Sequence, residues 1–360
     1  MNQIEPLIAK AKQFNMPAIA MTDHGNLFGA IEFYQAAKKA GIKPIIGCEV
    51  YLAPKSRFDK EGSSTHEDDY TEGGGSNPYY HLILLAADEL GYKNLIKLIS
   101  IANIEGFYYK PRIDKEILQK YSAGLIGLSG CLRGEIPYLL NLGYEKEAEA
   151  AAGTYQEIFG KDRFYIEIQN NGLEIQNTVN RKLIPLAQRN GIPIVATNDC
   201  HYLHKDDVRA HDIMLCIQTG KTVNAQNRMR FGTDQLYFKS SEEMVASFAE
   251  IPEAVKNTLR IADQIDLNLK FGELHLPHYE PPKGVTREDY LKRLAEEGLS
   301  RRLKEKAERP LQEGSFSQRD YEDRLASELA VIHKVGYAGY FLIVWDILNH
   351  ARTAGIPIGP

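Results

Sequence analysis

Only four cysteines, Cys48, Cys131, Cys200 and Cys216, occur in 360 residues, with no CxxC pair and no disulfide-like spacing. That usage fits a reducing, intracellular compartment and excludes a disulfide-stapled secreted fold. Long apolar runs are missing too: no stretch approaches the roughly 20 residues of a membrane span. The opening "MNQIEPLIAKAKQF" lacks the apolar core of about 7–15 residues that a signal peptide requires. The expectation is a soluble, cytoplasmic chain with no membrane partner. Positive charge is not in excess either. A net charge of −5 excludes a basic nucleic-acid coat, so any contact with a phosphate backbone has to come from a local patch.

What is present is a regular alternation. The length allows two or more domains at about 100–200 residues each, and 43 % apolar residues are enough to give each a core. Ile4 to Phe14 has the spacing of an amphipathic helix, with Ile4, Leu7, Ile8 and Ala11 on one face. "PAIAM" follows as a buried strand, then a helix from Leu27 to Ala40. "KPIIGCEVYLA", "YYHLILLA", "AGLIGLSG", "RFYIEIQ" and "IPIVATND" predict five more strands. Helices are expected from Glu89 to about Asn103, twice between Gly134 and Phe159, and from Leu173 to Arg189. Two units echo each other: "NMPAIAMTDH" and "GIPIVATNDCH" both run through Pro and a short apolar stretch into Thr and Asp. Such repeats, with continuously apolar strands and no Gly-rich dinucleotide fingerprint, favour a parallel sheet closed or nearly closed into a barrel. An open doubly wound sheet is the alternative.

The segment between Pro54 and Pro78 is polar, acidic and Gly/Ser-rich, and is expected to be a mobile surface loop. After about Lys270 the texture changes to a linker with three prolines, "FGELHLPHYEPPKG". Charged helical stretches then run from Thr286 to about Arg309 and from Ser317 to His333. "SRRLKEKAER" could touch phosphates, but its interleaved Glu305 and Glu308 favour a solvated helix face.

Polar residues on or beside the strands are the candidates for chemistry. His24 follows the first strand, Glu49 lies inside the second, His81 opens the third and Cys131 follows the fourth; Asp199 and His201 follow the last. In parallel barrels, strand ends converge on one face. The set offers N, O and S donors suited to Zn, or to mixed sites with Mn or Fe, and such a cluster can activate water against a phosphate ester.

Taken singly, each has a plainer reading. Asp23 and Gly25 suit a turn and a helix start. His81 suits a satisfied core or edge histidine, Cys131 a small buried apolar residue, and "NDCH" a loop. Glu49 is hardest to dismiss, because a carboxylate inside an apolar strand is costly unless paired or metal-bound. The other histidines (His66, His204, His211, His275, His278, His333, His350) have no such placement and suit surface or packing roles.

These residues sit in motifs that resemble a known family. "PAIAMTDHGNLFGAIEFY", "AGIKPIIGCEVYLAP", "HLILLA", "GLSGCLRGEIP" and "ATNDCHYL" resemble the polymerase and histidinol phosphatase (PHP) domain of bacterial replicative DNA polymerase III alpha subunits. "GYFLIVWDILNHARTAGIPIGP" resembles the start of their polymerase palm, so the resemblance covers essentially the whole chain. It implies a PHP domain over 1–270 and the start of the palm region over 271–360. The implied fold is α/β: a distorted (β/α)7-type barrel, then a mostly helical segment. Carried over by position, the implied metal ligands are His24, Glu49, His81, Cys131, Asp199 and His201, with Asp23 as a supporting neighbour.

Two departures accompany it. The family's opening strand, with a His-x-His motif and a further acidic ligand, has no counterpart ahead of "MNQIEPLIAKAKQF". "GIPIGP" ends where the family continues into a Gly-Arg-Gly-Ser stretch and, later, the palm carboxylates with their Mg. The expectation is therefore a piece of the catalytic subunit, cut at both ends, lacking the first strand and unable to polymerise by itself. In the whole protein the resemblance implies template-primer DNA and deoxynucleotides as substrates, and the sliding clamp and proofreading subunit as partners. A stand-alone metal-dependent phosphoesterase or 3′–5′ exonuclease, or a non-catalytic structural PHP domain, are the competing readings. A stand-alone phosphoesterase has no need of the palm-like ending, and decay is not evident in six retained donors.

Overall fold

The computed structural model describes residues 2–60, 79–273, 277–307 and 317–359, and it divides into two units, Met1–Leu269 and Lys270–Pro360. Most of the polar segment expected as a loop, and His66 and His275, lie outside the described residues. In chain order the first unit runs α1 (Ile4–Gln13), β1 (Ala18–Met21), α2 (Ala30–Ala40), β2 (Lys43–Leu52) and β3 (Tyr80–Ala86). Next come α3 (Glu89–Ile104), β4 (Phe107–Tyr108), β5 (Lys110–Ile113), α4 (Lys115–Lys120) and β6 (Leu125–Leu128). Then follow α5 (Glu135–Asn141), α6 (Glu145–Phe159), β7 (Phe164–Gln169), α7 (Glu174–Asn190) and β8 (Ile194–Thr197). Three helices complete the unit: α8 (Val208–Thr219), α9 (Ser241–Ser247) and α10 (Pro252–Gln264).

The sheet has eight strands in the order β4-β5-β2-β3-β6-β7-β8, with β1 alongside β2. β2 is its spine. A run as apolar as "KPIIGCEVYL" has no polar face to leave wet, and it is buried from Pro44 to Leu52. The all-parallel expectation needs correction at β3, which runs antiparallel to both β2 and β6; β1–β2, β2–β5, β6–β7 and β7–β8 are parallel. The physical reason is legible between the strands. A parallel neighbour needs a crossover, usually a helix, and nothing between "KPIIGCEVYLA" and "YYHLILLA" carries a helical apolar pattern. The β4–β5 hairpin and α4 also go beyond the sequence reading, being too short for a periodic signal.

Helices cover the sheet, burying Phe33, Leu95, Leu98, Tyr155, Leu186 and Ala187 in one continuous apolar core. Close approach at one point requires glycine: a Cβ on Gly91, in the first turn of α3, would sit 1.9 Å from the Gly124 carbonyl oxygen. The same turn is capped by Asp88, whose side chain accepts from Gly91 N at 2.8 Å. The first residues are tied to a much later segment. Asn2 Nδ2 donates to Cys200 O at 3.1 Å, and Lys10 Nζ to Leu203 O at 2.7 Å.

The second unit is helical: α11 (Arg287–Ala307), α12 (Gln318–Val335) and α13 (Ala338–Thr353). Ser317 caps α12 in a reciprocal pair with Asp320, and Gly336 ends it in the left-handed conformation at φ 73°. Among the described residues no single helix is long and apolar enough to cross a membrane.

Candidate metal centre

The corner after β1 is where the site begins. Gly25 takes φ 64°, and a Cβ there would come within 3.0 Å of Tyr51 and Pro111 side-chain atoms, so glycine is required on two counts. The helix-start role expected of Asp23 is not what forms. α2 begins only at Ala30, with Gly29 at its cap and no side-chain capping bond. The turn is closed instead by Asn26, which donates to His24 O at 2.9 Å and accepts from Phe28 N at 3.1 Å. Asp23 acts through its carbonyl oxygen, which accepts from Glu49 N at 3.0 Å and from the Cys48 thiol at 3.2 Å. That bond fastens the His24 segment to β2 beside Glu49.

Four of the six candidate residues meet. Glu49 Oε1 lies 2.5 Å from His81 Nδ1, and Glu49 Oε2 lies 3.6 Å from His24 Nε2. Ligand atoms of His24, Glu49 and His81 all fall within 4.8 Å of one another. Cys131 Sγ stands 3.7 Å from His81 Nδ1 and 3.9 Å from Glu49 Oε1. His81 reaches this end only because β3 is reversed. At the head of a parallel strand it would lie at the opposite end of the sheet; antiparallel pairing puts it opposite Tyr51, two residues from Glu49. Two tyrosines wall the cluster: Tyr51 stacks on His24 at 6.0 Å, Tyr79 stacks on His81 at 6.0 Å, and the two rings meet edge-on at 4.9 Å.

Asp199 and His201 form a second group at the end of β8, with Asp199 Oδ1 3.6 Å from His201 Nδ1 and Asp199 at φ 54°. Their charges act on the first group, Asp199 raising and His201 lowering the basicity of His24.

The electrostatics follow from burial against mutual charge. Burial would raise the Glu49 carboxyl, but the His24 and His81 imidazoles hold it well below the usual carboxylate range. Burial lowers His24, partly offset by Glu49. Burial, then the Glu49 and Asp199 charges, pushes the Cys131 thiol well up. Burial also raises Asp199, against the pull of His201.

Glu167 escaped the sequence reading. It is buried on β7, accepting from Thr197 Oγ1 at 2.5 Å, Gln169 Nε2 at 3.1 Å and Gly130 N at 3.1 Å. Burial, opposed by the Thr197 and Gln169 bonds and aided by the Glu49 and Asp199 charges, raises it to about 7. The signal was available: a glutamate inside the apolar run "RFYIEIQ" is the same anomaly that singled out Glu49. His211 sits behind His201, with ring centroids 5.5 Å apart, and is buried as a packing residue.

The donor set fits a metal ion. A tetrahedral ion with bonds of about 2.0–2.3 Å holds its ligands about 3.3–3.8 Å apart, and the His24–Glu49, Cys131–His81 and Cys131–Glu49 separations of 3.6, 3.7 and 3.9 Å lie at or near that range. The Glu49–His81 hydrogen bond is shorter and would open to admit the ion.

Comparison with known proteins agrees on one family. A PHP domain model matches residues 1–171, and a model of the bacterial DNA polymerase III alpha NTPase domain matches residues 289–360. The DNA polymerase III subunit alpha of Borreliella burgdorferi is 45% identical over 359 residues, covering 99% of this chain and 29% of its own. That of Treponema pallidum is 43% identical over 360 residues, covering 100% of this chain and 29% of its own. Among solved structures, an amidohydrolase from Chromobacterium violaceum aligns over 54% of this chain and 81% of its own, at 14% identity and TM-score 0.34, too remote to bear on function. The chain spans under a third of the length of these curated relatives. With strand-borne donors gathered at one end of an α/β sheet, two matched domain models and relatives aligned over the whole chain, it belongs to the bacterial DNA polymerase III alpha subunit family.

Proposed function

We propose that this chain is the N-terminal part of a replicative DNA polymerase catalytic subunit, and that its PHP domain keeps a divalent-metal site inherited from a phosphoesterase. The observation that carries the reading is the meeting of His24, Glu49 and His81 ligand atoms within 4.8 Å, from three separate segments of the fold. Cys131 supplies a fourth donor, while Asp199 and His201 supply a second pair for a further ion. Zn, Mn or Fe suits this mixture of imidazole, carboxylate and thiol. A bound ion would polarise a water for attack on a phosphate ester, the chemistry of 3′–5′ exonuclease action.

The residues' own part is orientation and proton handling. The Glu49–His81 pair sets the imidazole's face, and the Cys131 thiol gives up its proton when it ligates. We propose residues 1–270 as the PHP domain and 271–360 as the start of the palm region. For the whole protein we propose cytoplasmic DNA-templated joining of deoxynucleotides to a primer, with Mg at the palm, and association with a sliding clamp and a proofreading subunit. The similarity to DNA polymerase III alpha subunits supports this reading.

A non-catalytic PHP domain is the second reading. The 2.5 Å Glu49–His81 hydrogen bond favours it, since it satisfies the buried carboxylate with no metal at all. Metal content after loading with Zn or Mn and exhaustive dialysis separates the two. Retained metal, weakened about tenfold or more in Glu49→Gln or His81→Ala, supports the metal site; release of nucleotides from a labelled 3′ end would add exonuclease action. A folded chain that retains no metal refutes the site and leaves the structural reading.

A further inference from the structure

Two cations lie near the cluster, one against each of its tyrosine rings. Lys110 Nζ lies 5.7 Å from the Tyr51 ring centroid, and Arg133 Cζ lies 5.5 Å from that of Tyr79. Those rings touch each other and the two imidazoles, so each cation is one ring away from the His24–His81 pair. Both are fixed by backbone as well. Lys110 follows Tyr109 at the β4–β5 turn, where Tyr109 adopts φ 59°, and neighbouring Pro111 packs against Gly25. Arg133 O accepts from His81 N at 2.9 Å, and His81 bridges Gly134.

Tyr109 leaves 55% of its surface exposed beside Lys110. An exposed ring next to a cation is the arrangement that takes a base face and a phosphate from one strand. The acidic neighbours Glu49, Asp199 and Glu167 would repel a phosphodiester, and the chain's net charge of −5 offers no long-range attraction. Local cations are therefore what such a substrate would need.

We propose that Lys110 and Arg133 bind phosphates of a single DNA strand whose 3′ end enters the cluster, with Tyr109 stacking one of its bases. The proposal rests on the phosphoesterase reading for why the strand is there, but not for whether it binds. The cations act on the strand; the donors act on the metal.

The test is fluorescence anisotropy of a labelled ten-residue oligothymidylate with this chain, in EDTA and again with Mn, across a salt series. Lys110→Gln with Arg133→Gln should weaken binding about tenfold or more and flatten the log–log salt slope by about 1.4, the loss of two single-strand phosphate contacts. The charge-keeping pair Lys110→Arg and Arg133→Lys should keep most of both, which separates lost charge from lost folding. Tyr109→Ala should weaken binding with the salt slope unchanged. An unaltered slope in the Gln pair, or no binding by the parent chain at low salt, overturns the proposal. Binding that depends on the two cations, without nucleotide release in Mn, would leave this inference standing and refute the exonuclease reading.

Discussion

Asp114 is the best place to test how the β4–β5 hairpin is held. It is 2% exposed and serves three partners at once. Its carboxylate caps α4 by accepting from Ile117 N at 3.1 Å, accepts from Arg57 N at 2.9 Å, and takes the Arg57 guanidinium at 3.0 and 3.2 Å. Arg112, itself 1% exposed, lies alongside and donates to Gly106 O and Arg57 O. Asp114→Ala removes a helix cap, about 1 kcal/mol, and leaves a buried arginine without its main partner, for which about 3–5 kcal/mol is usual. Arg57 keeps Glu105 at 2.7 Å, so the low end applies and, with the cap, the total loss should be about 4 kcal/mol. Asp114→Asn retains the cap and an acceptor, and should lose about 1 kcal/mol. Urea unfolding followed by far-UV circular dichroism should show the Ala variant's midpoint lowered by roughly 1 M, with the slope unchanged. An Ala variant within 1 kcal/mol of the parent, or one no worse than Asn, would refute the claim that this buried pair holds the hairpin down.

Two further outcomes are expected. The Glu167 carboxyl is raised to about 7 in the folded chain and is ordinary when unfolded, so the native state binds the extra proton between those values and stability falls as pH rises from about 4.5 to 7. In EDTA that decline should amount to about 3 kcal/mol, and Glu167→Gln should flatten it; an equally steep profile in the variant would assign the slope elsewhere. At Gly134 an added Cβ would lie 2.0 Å from the Ser129 carbonyl oxygen. Gly134→Ala should therefore shift the 129–134 turn that carries Cys131, lowering both melting temperature and metal retention, whereas a variant that melts and loads like the parent would show that the turn yields freely.

The apolar strands were legible because burial on both faces leaves no alternation, as in "KPIIGCEVYL" and "FYIEIQ". Glu49 was legible for the converse reason, a charge where the strand pattern forbids one. Direction was not. Strand polarity depends on what connects the strands, and the parallel assumption placed His81 in the set on reasoning that would have put it at the wrong end of the sheet. It is the antiparallel β3, turning its head toward the ends of its neighbours, that sets His81 beside Glu49. The expected Asp23 cap failed because the helix start lay beyond Asn26, whose side chain closes the turn first. Glu167 passed unnoticed although it broke its strand's pattern as plainly as Glu49. Lys110 and Tyr109 had no signal, since a two-residue strand and a tight turn leave no period to read.

The ties from α1 to the Cys200–Leu203 segment bear on how the chain folds as it is made. Lys10 and Leu203 are 193 residues apart in sequence yet 2.7 Å apart in space. At about 5–20 residues per second, the ribosome needs about 10–40 s to deliver the second partner after the first. Through that interval α1 has only α2 and the early strands to shelter Ile8 and Ala11. Docking of residues 200–204 is thus a late step with a long loop to close, and nascent chains stalled before β8 should be those most readily captured by chaperones.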